Sequence, residues 1–272
     1  MEFHPLHPDF GVLVTGFDLV HGGTQAEIAA LREAYDRHAM LLFRGGGRLA
    51  PERHLEIASW FGPPPPVSNG GEGDFVSVLD NADWAGSARL PFHCDLTYTD
   101  APIAAICLHA IALPRGETST SFVSNGAAWQ RLPGDMQEEL ADKTLRHVLV
   151  STVPGYDWPD FVADHPLRLI HPRTGQPLLL ATEHHAARIL ELDEAGSRAM
   201  LDRLFAELYA PERIYLHRWQ IDDLLLWDNL ALQHARTEEA DPGQGRRALQ
   251  RVALSEVGLA ELVERARVRA GA

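Results

Sequence analysis

From residue 75 onward the chain is written as ten short apolar segments, at 75–79, 92–98, 103–112, 121–124, 147–151, 167–170, 178–181, 213–219, 224–227 and 246–257. Gly, Pro, Asn or Asp punctuate most of the gaps. Segments this short hide their apolar side chains by lying beside one another, and turn residues at this frequency fold each one back on its neighbour. The pattern predicts an antiparallel sandwich or barrel. Helical stretches interrupt it at 127–142 and at 194–209, where Ser197, Leu201, Leu204 and Leu208 share one face.

Ahead of this region, Thr24 and Glu27 stand at the spacing of a capping box and open a helix that ends near His38. Met40, Leu41, Leu42 and Phe43 read as a buried strand. Pro51, preorganised for a first helical turn, starts a second helix that stops at Gly62, and the prolines at 63–66 form a loop. The expected class is strand-rich α+β, a double-stranded β-helix (jelly-roll) core with flanking helices. With 272 residues, 45% of them hydrophobic, the chain can bury one substantial core, so residues 1–272 are read as a single domain.

A formal net charge of −14 argues against nucleic acid and anionic membranes as partners, since both need a concentrated basic face. A small molecule is the expected partner, and a homo-oligomer is compatible with the composition. Cys94 and Cys107 are the two cysteines, too few for a disulfide framework. The N-terminus lacks the basic start and apolar stretch of a signal peptide, and the longest apolar segment, 101–114, is too short for a membrane span and carries His109. These features predict a cytoplasmic protein.

Two motifs carry metal chemistry. In Leu-Pro-Phe-His-Cys-Asp, strand alternation would put His93 and Asp95 on one face with Cys94 turned away, so both can reach one ion. The same tripeptide spacing at His7 and Asp9 lies in a segment with no strand pattern. His234 follows a strongly apolar strand and a turn, and offers a third ligand. His217 and the adjacent His184 and His185 compete by residue type, although histidines facing solvent or satisfied in a core are more common. Two imidazoles and a carboxylate on one face of a metal leave the opposite positions open, the arrangement of non-haem iron sites.

Downstream, a turn at 241–245 leads into a strand on which period two places Arg247, Leu249, Arg251 and Ala253 together. A guanidinium among apolar neighbours is costly unless an anion meets it, and its planar fork matches a carboxylate.

Taken together, these residues resemble the iron(II)- and 2-oxoglutarate-dependent dioxygenases of the taurine dioxygenase type, which include phenoxyalkanoate dioxygenases. The resemblance covers nearly the whole chain. Residues 10–19 look like the family's opening strand, 38–45 its following segment, and 49–54 with Phe61 and Gly62 the helix after it. Phe92 through Asp95, Trp227-Asp228-Asn229 through His234, and Arg247 with Arg251 then match in order and spacing.

The resemblance implies that His93, Asp95 and His234 bind Fe(II), that Arg247 salt-bridges the distal carboxylate of the co-substrate 2-oxoglutarate, and that O2 is consumed. A threonine normally assists; here the local sequence departs from the pattern, with Thr120 preferred because it keeps the Thr-x-aromatic spacing and Thr118 the alternative. The position of Arg251 implies an anionic substrate: a sulfonate, sulfate ester, or aryloxy or carboxylic acid. Arg89, Tyr98, Asn81 and the loop at 65–69 are pocket candidates by position. Since Asp95 retains the carboxylate that family halogenases lack, hydroxylation is the implied outcome. Two other readings use the same ligands: a zinc- or manganese-dependent cupin-like enzyme, and a metal-binding jelly roll without turnover. Arg247 speaks against the first, which needs no cationic clamp; substrate-independent succinate formation would separate the second.

Overall fold

The computed structural model describes residues 1–65, 75–82, 89–150, 158–236 and 242–271. Strands β1 (Glu2–Pro5) and β2 (Val12–Thr15) pair as a hairpin, and α1 (Gln25–His38) then crosses over to β3 (Met40–Phe43), which runs parallel to β2. Parallel neighbours need such a crossover, because a tight turn reverses the chain. Thr24 caps α1 in a reciprocal capping box with Glu27, and Ala39 ends it in the left-handed conformation. Helix α2 (Pro51–Ser59) begins on its proline.

The strand-rich region follows with β4 (Ser77–Asp80), β5 (Leu90–His93), β6 (Ala105–Ala112) and β7 (Ser119–Ser124), then α3 (Asn125–Arg131) and α4 (Gly134–Leu140). Next come β8 (Thr144–Leu149), β9 (Phe161–Pro166), β10 (Arg168–Ile170), β11 (Pro177–Leu179), β12 (Ala186–Ile189) and α5 (Glu194–Leu208). The chain closes with β13 (Tyr215–Arg218), β14 (Leu224–Asp228), β15 (Leu232–Arg236), β16 (Ala248–Leu254) and α6 (Leu259–Gly271). The fold is mixed and strand-rich.

A seven-stranded sheet, in the order β1-β2-β3-β14-β6-β16-β4, faces a four-stranded sheet, β13-β7-β15-β5. Between them Leu42, Ile106, Leu108, Leu225, Trp227 and Leu249 of the first sheet meet Phe122 and Leu232 of the second. On the outer face of the larger sheet, Leu41, Phe43, Cys107, Leu224, Leu226 and Leu254 pack under Leu31, Tyr35 and Ile57 of α1 and α2. Coverage on both faces explains why β14 is apolar without alternation. A third cluster buries α3, α4 and α5 against Leu145, Leu179 and Ile189.

Several elements depart from the sequence expectation. The strand read at 92–98 stops at His93, and the chain turns there. The helix read at 127–142 is two helices, broken around Pro133, whose ring denies the backbone a donor. Strands β9, β12 and β15 and helix α6 had no counterpart in the sequence reading; β9 carries Asp164, His165 and Pro166, which disguise it as a loop. Of the loop expected at 65–69, only Pro65 lies among the described residues.

Candidate metal and co-substrate site

His93 and His234 stand directly opposite one another in the β5/β15 ladder, which brings their rings to a centroid distance of 4.2 Å. Asp95 reaches the same point from a turn, not from the alternating strand that the sequence suggested. Leu96, next in line, adopts the left-handed conformation with φ of 61°. The turn is tied down by Asn229: its Oδ1 accepts from the Asp95 backbone N–H at 2.8 Å, and its Nδ2 donates to the carbonyls of Asp95 at 3.1 Å and Ile103 at 2.8 Å. Cys94, fully buried, turns away toward the Leu232 carbonyl and the Asn125 amide.

The result is one cluster of three donors, His93, Asp95 and His234, whose ligand atoms lie within 4.8 Å of one another; it is the candidate ion-holding group among the described residues. His93 Nε2 lies 3.3 Å and His234 Nε2 3.7 Å from Asp95 Oδ1. His93 Nδ1 is 2.8 Å from the Pro91 carbonyl, which fixes Nδ1 as the protonated nitrogen and leaves the Nε2 lone pair for a metal. Burial pushes the Asp95 carboxyl up, but the His93 imidazole beside it and the Arg251 guanidinium outweigh that and hold the group well below the usual carboxylate range. Burial, helped by His93, drives His234 down to about 3, so the ring is neutral and able to ligate. Two imidazoles and one ionised carboxylate, held by second partners and open on the cavity side, fit a divalent transition metal.

The triad opens on a cavity of about 370 Å³ between the two sheets. Arg247, Leu249 and Arg251 all line it, as the alternation of β16 required. Arg251 Nη2 donates to Asp95 Oδ2 at 2.7 Å. Arg247 is buried, and its Nε donates to Thr118 Oγ1 at 2.8 Å. Its Nη1 is sealed from solvent and has no protein partner. Burial, with Arg236 nearby, lowers this guanidinium to about 10, which leaves it a cation at neutral pH. Thr120 also lines the cavity, where its hydroxyl accepts from Trp219 Nε1 at 3.0 Å. A dicarboxylate fits this end of the cavity, because an orphaned guanidinium donor there lacks its acceptor.

The remaining candidates divide. Tyr98 lines the cavity. Arg89 is exposed and lies outside the cavity lining. Asn81 is also outside it: its Nδ2 donates to the Gly245 carbonyl and its Oδ1 accepts from the Arg247 backbone N–H, so its role is to set the start of β16. His217 is buried 3.4 Å from Asp223, in a network with Arg44, and is not part of the triad. His7 and Asp9 pair locally near the surface.

His184 and His185 are not part of the triad, yet both line the cavity, with ring centroids 5.6 and 6.1 Å from that of His93. The sequence offers them as competing ligands by residue type, and the adjacency of two histidines before β12 is the signal. Trp158 and Trp227 complete the aromatic lining.

Comparison with known proteins matches this geometry. A family model described as taurine catabolism dioxygenase TauD, TfdA family, matches residues 2–253. The chain is 30% identical to the (S)-phenoxypropionate/alpha-ketoglutarate-dioxygenase of Sphingobium herbicidovorans, over 87% of this chain and 89% of that protein. It is 27% identical to the alpha-ketoglutarate-dependent sulfate ester dioxygenase of Pseudomonas putida, over 94% and 89%. A crystal structure of a taurine dioxygenase from Burkholderia xenovorans has the same fold, with a TM-score of 0.81 at 23% identity over 94% of this chain and 90% of that one. No helix among the described residues is long and apolar enough to cross a membrane. Collinear motifs, shared fold and a match from residue 2 to residue 253 lead to one statement: the chain belongs to the TauD, TfdA family of dioxygenases.

Proposed function

We propose that this chain is an iron(II)- and 2-oxoglutarate-dependent dioxygenase that hydroxylates an aliphatic C–H bond of a small anionic substrate, with release of succinate and carbon dioxide. In this reading His93, Asp95 and His234 hold Fe(II), and Arg247 with Thr120 holds the distal carboxylate of 2-oxoglutarate. The fold is taken as a jelly roll forming one domain over residues 1–272, a reading supported by the two facing sheets. A cytoplasmic enzyme accords with two free, buried cysteines.

The observation that carries the proposal is Arg247, a buried guanidinium that lines the same cavity as the triad and keeps its Nη1 without a protein partner. A cation sealed in this way has no structural use there until an anion meets it. Thr118 holds Nε and so orients the fork, while Thr120, already accepting from Trp219, has its O–H proton free to donate to a carboxylate. When bound, ferrous iron and 2-oxoglutarate supply the oxidising power drawn from O2. The chain's own residues orient the diacid, keep Asp95 ionised and line the reaction space with Ile106, Leu108, Trp227 and Leu249, which exclude water.

An anionic substrate is favoured by Arg251, whose fork spends one donor on Asp95 and has others for a ligand. Sulfate esters and phenoxypropionate, named for two of the relatives, are both anions. Sulfonates, sulfate esters, and aryloxy or carboxylic acids are the class to test.

Anaerobic addition of Fe(II) and 2-oxoglutarate should produce a visible metal-to-ligand charge-transfer band, and a panel of those acids should then release succinate on exposure to air. His234→Ala should lose metal and band together, while His217→Ala keeps both. Folded parent protein that gives no band would overturn the reading.

A further inference from the structure

Helix α6 lies wholly beyond residue 253, where the match to the family model ends. It nevertheless packs against the turn that leaves the metal site. Val263 and Ala266 are buried on Phe161, and Tyr98, Leu149 and Trp158 close around the same cluster. Those last three side chains also line the cavity. One layer of side chains thus separates the helix from the space beside the metal ligands.

Charge reinforces the contact. Asp100, two residues after Tyr98, receives Arg265 Nη1 on one carboxylate oxygen at 3.3 Å and Arg269 Nη2 on the other at 2.6 Å. Glu261 steadies Arg265 from one turn back at 2.6 Å. Single exposed ion pairs count for little, but two arginines converging on one carboxylate above an apolar contact define a position. The segment 95–100 is therefore gripped at three places: Asp95 by Asn229 and Arg251, Thr97 and Thr99 by His165 Nε2 at 2.9 Å from both carbonyls, and Asp100 by α6. Of the three, the helix is the grip that lies outside the family match. A crevice of about 230 Å³ remains between it and the turn, so the seating can be altered without rebuilding a close-packed core.

We propose that α6 is a specificity element: Arg265 and Arg269 on Asp100, with Val263 and Ala266 on Phe161, set where Tyr98 and Trp158 stand and so fix the size of the substrate end of the cavity. The proposal rests on the dioxygenase reading of that cavity. These are positioning residues, acting through Tyr98 and Trp158.

The test uses the full-length protein carrying Arg265→Ala with Arg269→Ala, and the paired Arg→Lys changes as the conservative control. Hydrogen exchange at 96–100 should quicken several-fold in the alanine pair and return toward parent in the lysine pair. The Fe(II)/2-oxoglutarate band and the affinity for 2-oxoglutarate should stay within about twofold of parent. Binding of (S)-2-phenoxypropionate and hexyl sulfate, read as perturbation of that band, should weaken on the order of tenfold, or the substrate-independent rate of succinate formation should rise several-fold. Unchanged exchange overturns the proposal, as do probe affinity and substrate-independent rate that both stay at parent values. A parent without the band would sink the dioxygenase reading instead, and the exchange result separates the two failures.

Discussion

Arg247 shows how far a single side chain constrains the chemistry. Its guanidinium is buried, keeps one nitrogen without a protein acceptor and shares a cavity with three metal-type donors. Truncation to alanine should cost about 2–3 kcal/mol of co-substrate binding, on the order of 10²-fold in KM for 2-oxoglutarate, with kcat recovered at saturation. Steady-state succinate assays over a wide 2-oxoglutarate range check this. Arg247→Lys should restore little, because a point charge on a flexible stem lacks the fork that Thr118 now orients. This residue was legible beforehand: period two along 247–253 put it on one face with Leu249 and Arg251, and all three line the cavity. His184 and His185 were less legible. An adjacent histidine pair is as common in a core or at the surface, and only the meeting of the turn before β12 with β5, where the His184 backbone N–H donates to the Phe92 carbonyl, brings them beside His93.

At the scale of elements, the turn after β5 does what the strand was expected to do. Alternation named His93 and Asp95 correctly as neighbours in space, but by the wrong geometry, since the strand ends at His93. The missing information is the side chain of Asn229, which captures the Asp95 backbone from far along the chain through two hydrogen bonds and the Ile103 carbonyl through a third; local periodicity has no access to such contacts. Asn229→Ala should leave the protein folded and weaken metal affinity on the order of 10- to 100-fold, measured by competition with a chelator. Unaltered affinity would mean that the turn holds itself. Helix α6 escaped notice for a related reason. Its buried stripe of Leu262, Val263 and Ala266 is short and set among charges, and its meaning depends on Phe161 and Asp100. Helix α1 was readable because capping box, apolar face and terminus are all local.

For the whole molecule, buried histidines tie stability to pH. His54 and His147 are fully buried, and burial, with His109 and His165 respectively beside them, lowers each to about 3. In the unfolded chain they titrate near the ordinary value of about 6.5. Between those values the unfolded state binds more protons, so stability falls as pH drops through about 6.5 toward 3, by up to about 1.4 kcal/mol per pH unit for each group. The depressed carboxylates Asp223 and Asp228 add their own loss as pH falls below the ordinary carboxylate value. Thermal unfolding should therefore show Tm declining steadily from pH 6.5 to 4, with a shallower decline in His54→Leu. A flat profile would contradict the burial of both rings.

Cys94 sits between His93 and Asp95 in the chain and Cys107 lies under the helices of the large sheet, both at 0% exposure, and burial raises both thiols far above their usual range. Neither sulfur can meet an alkylating reagent while the sheets are closed. Incorporation of iodoacetamide then becomes a clock for opening of the native state: its rate should track denaturant and temperature as unfolding does, and any ligand that slows it has tightened the protein as a whole.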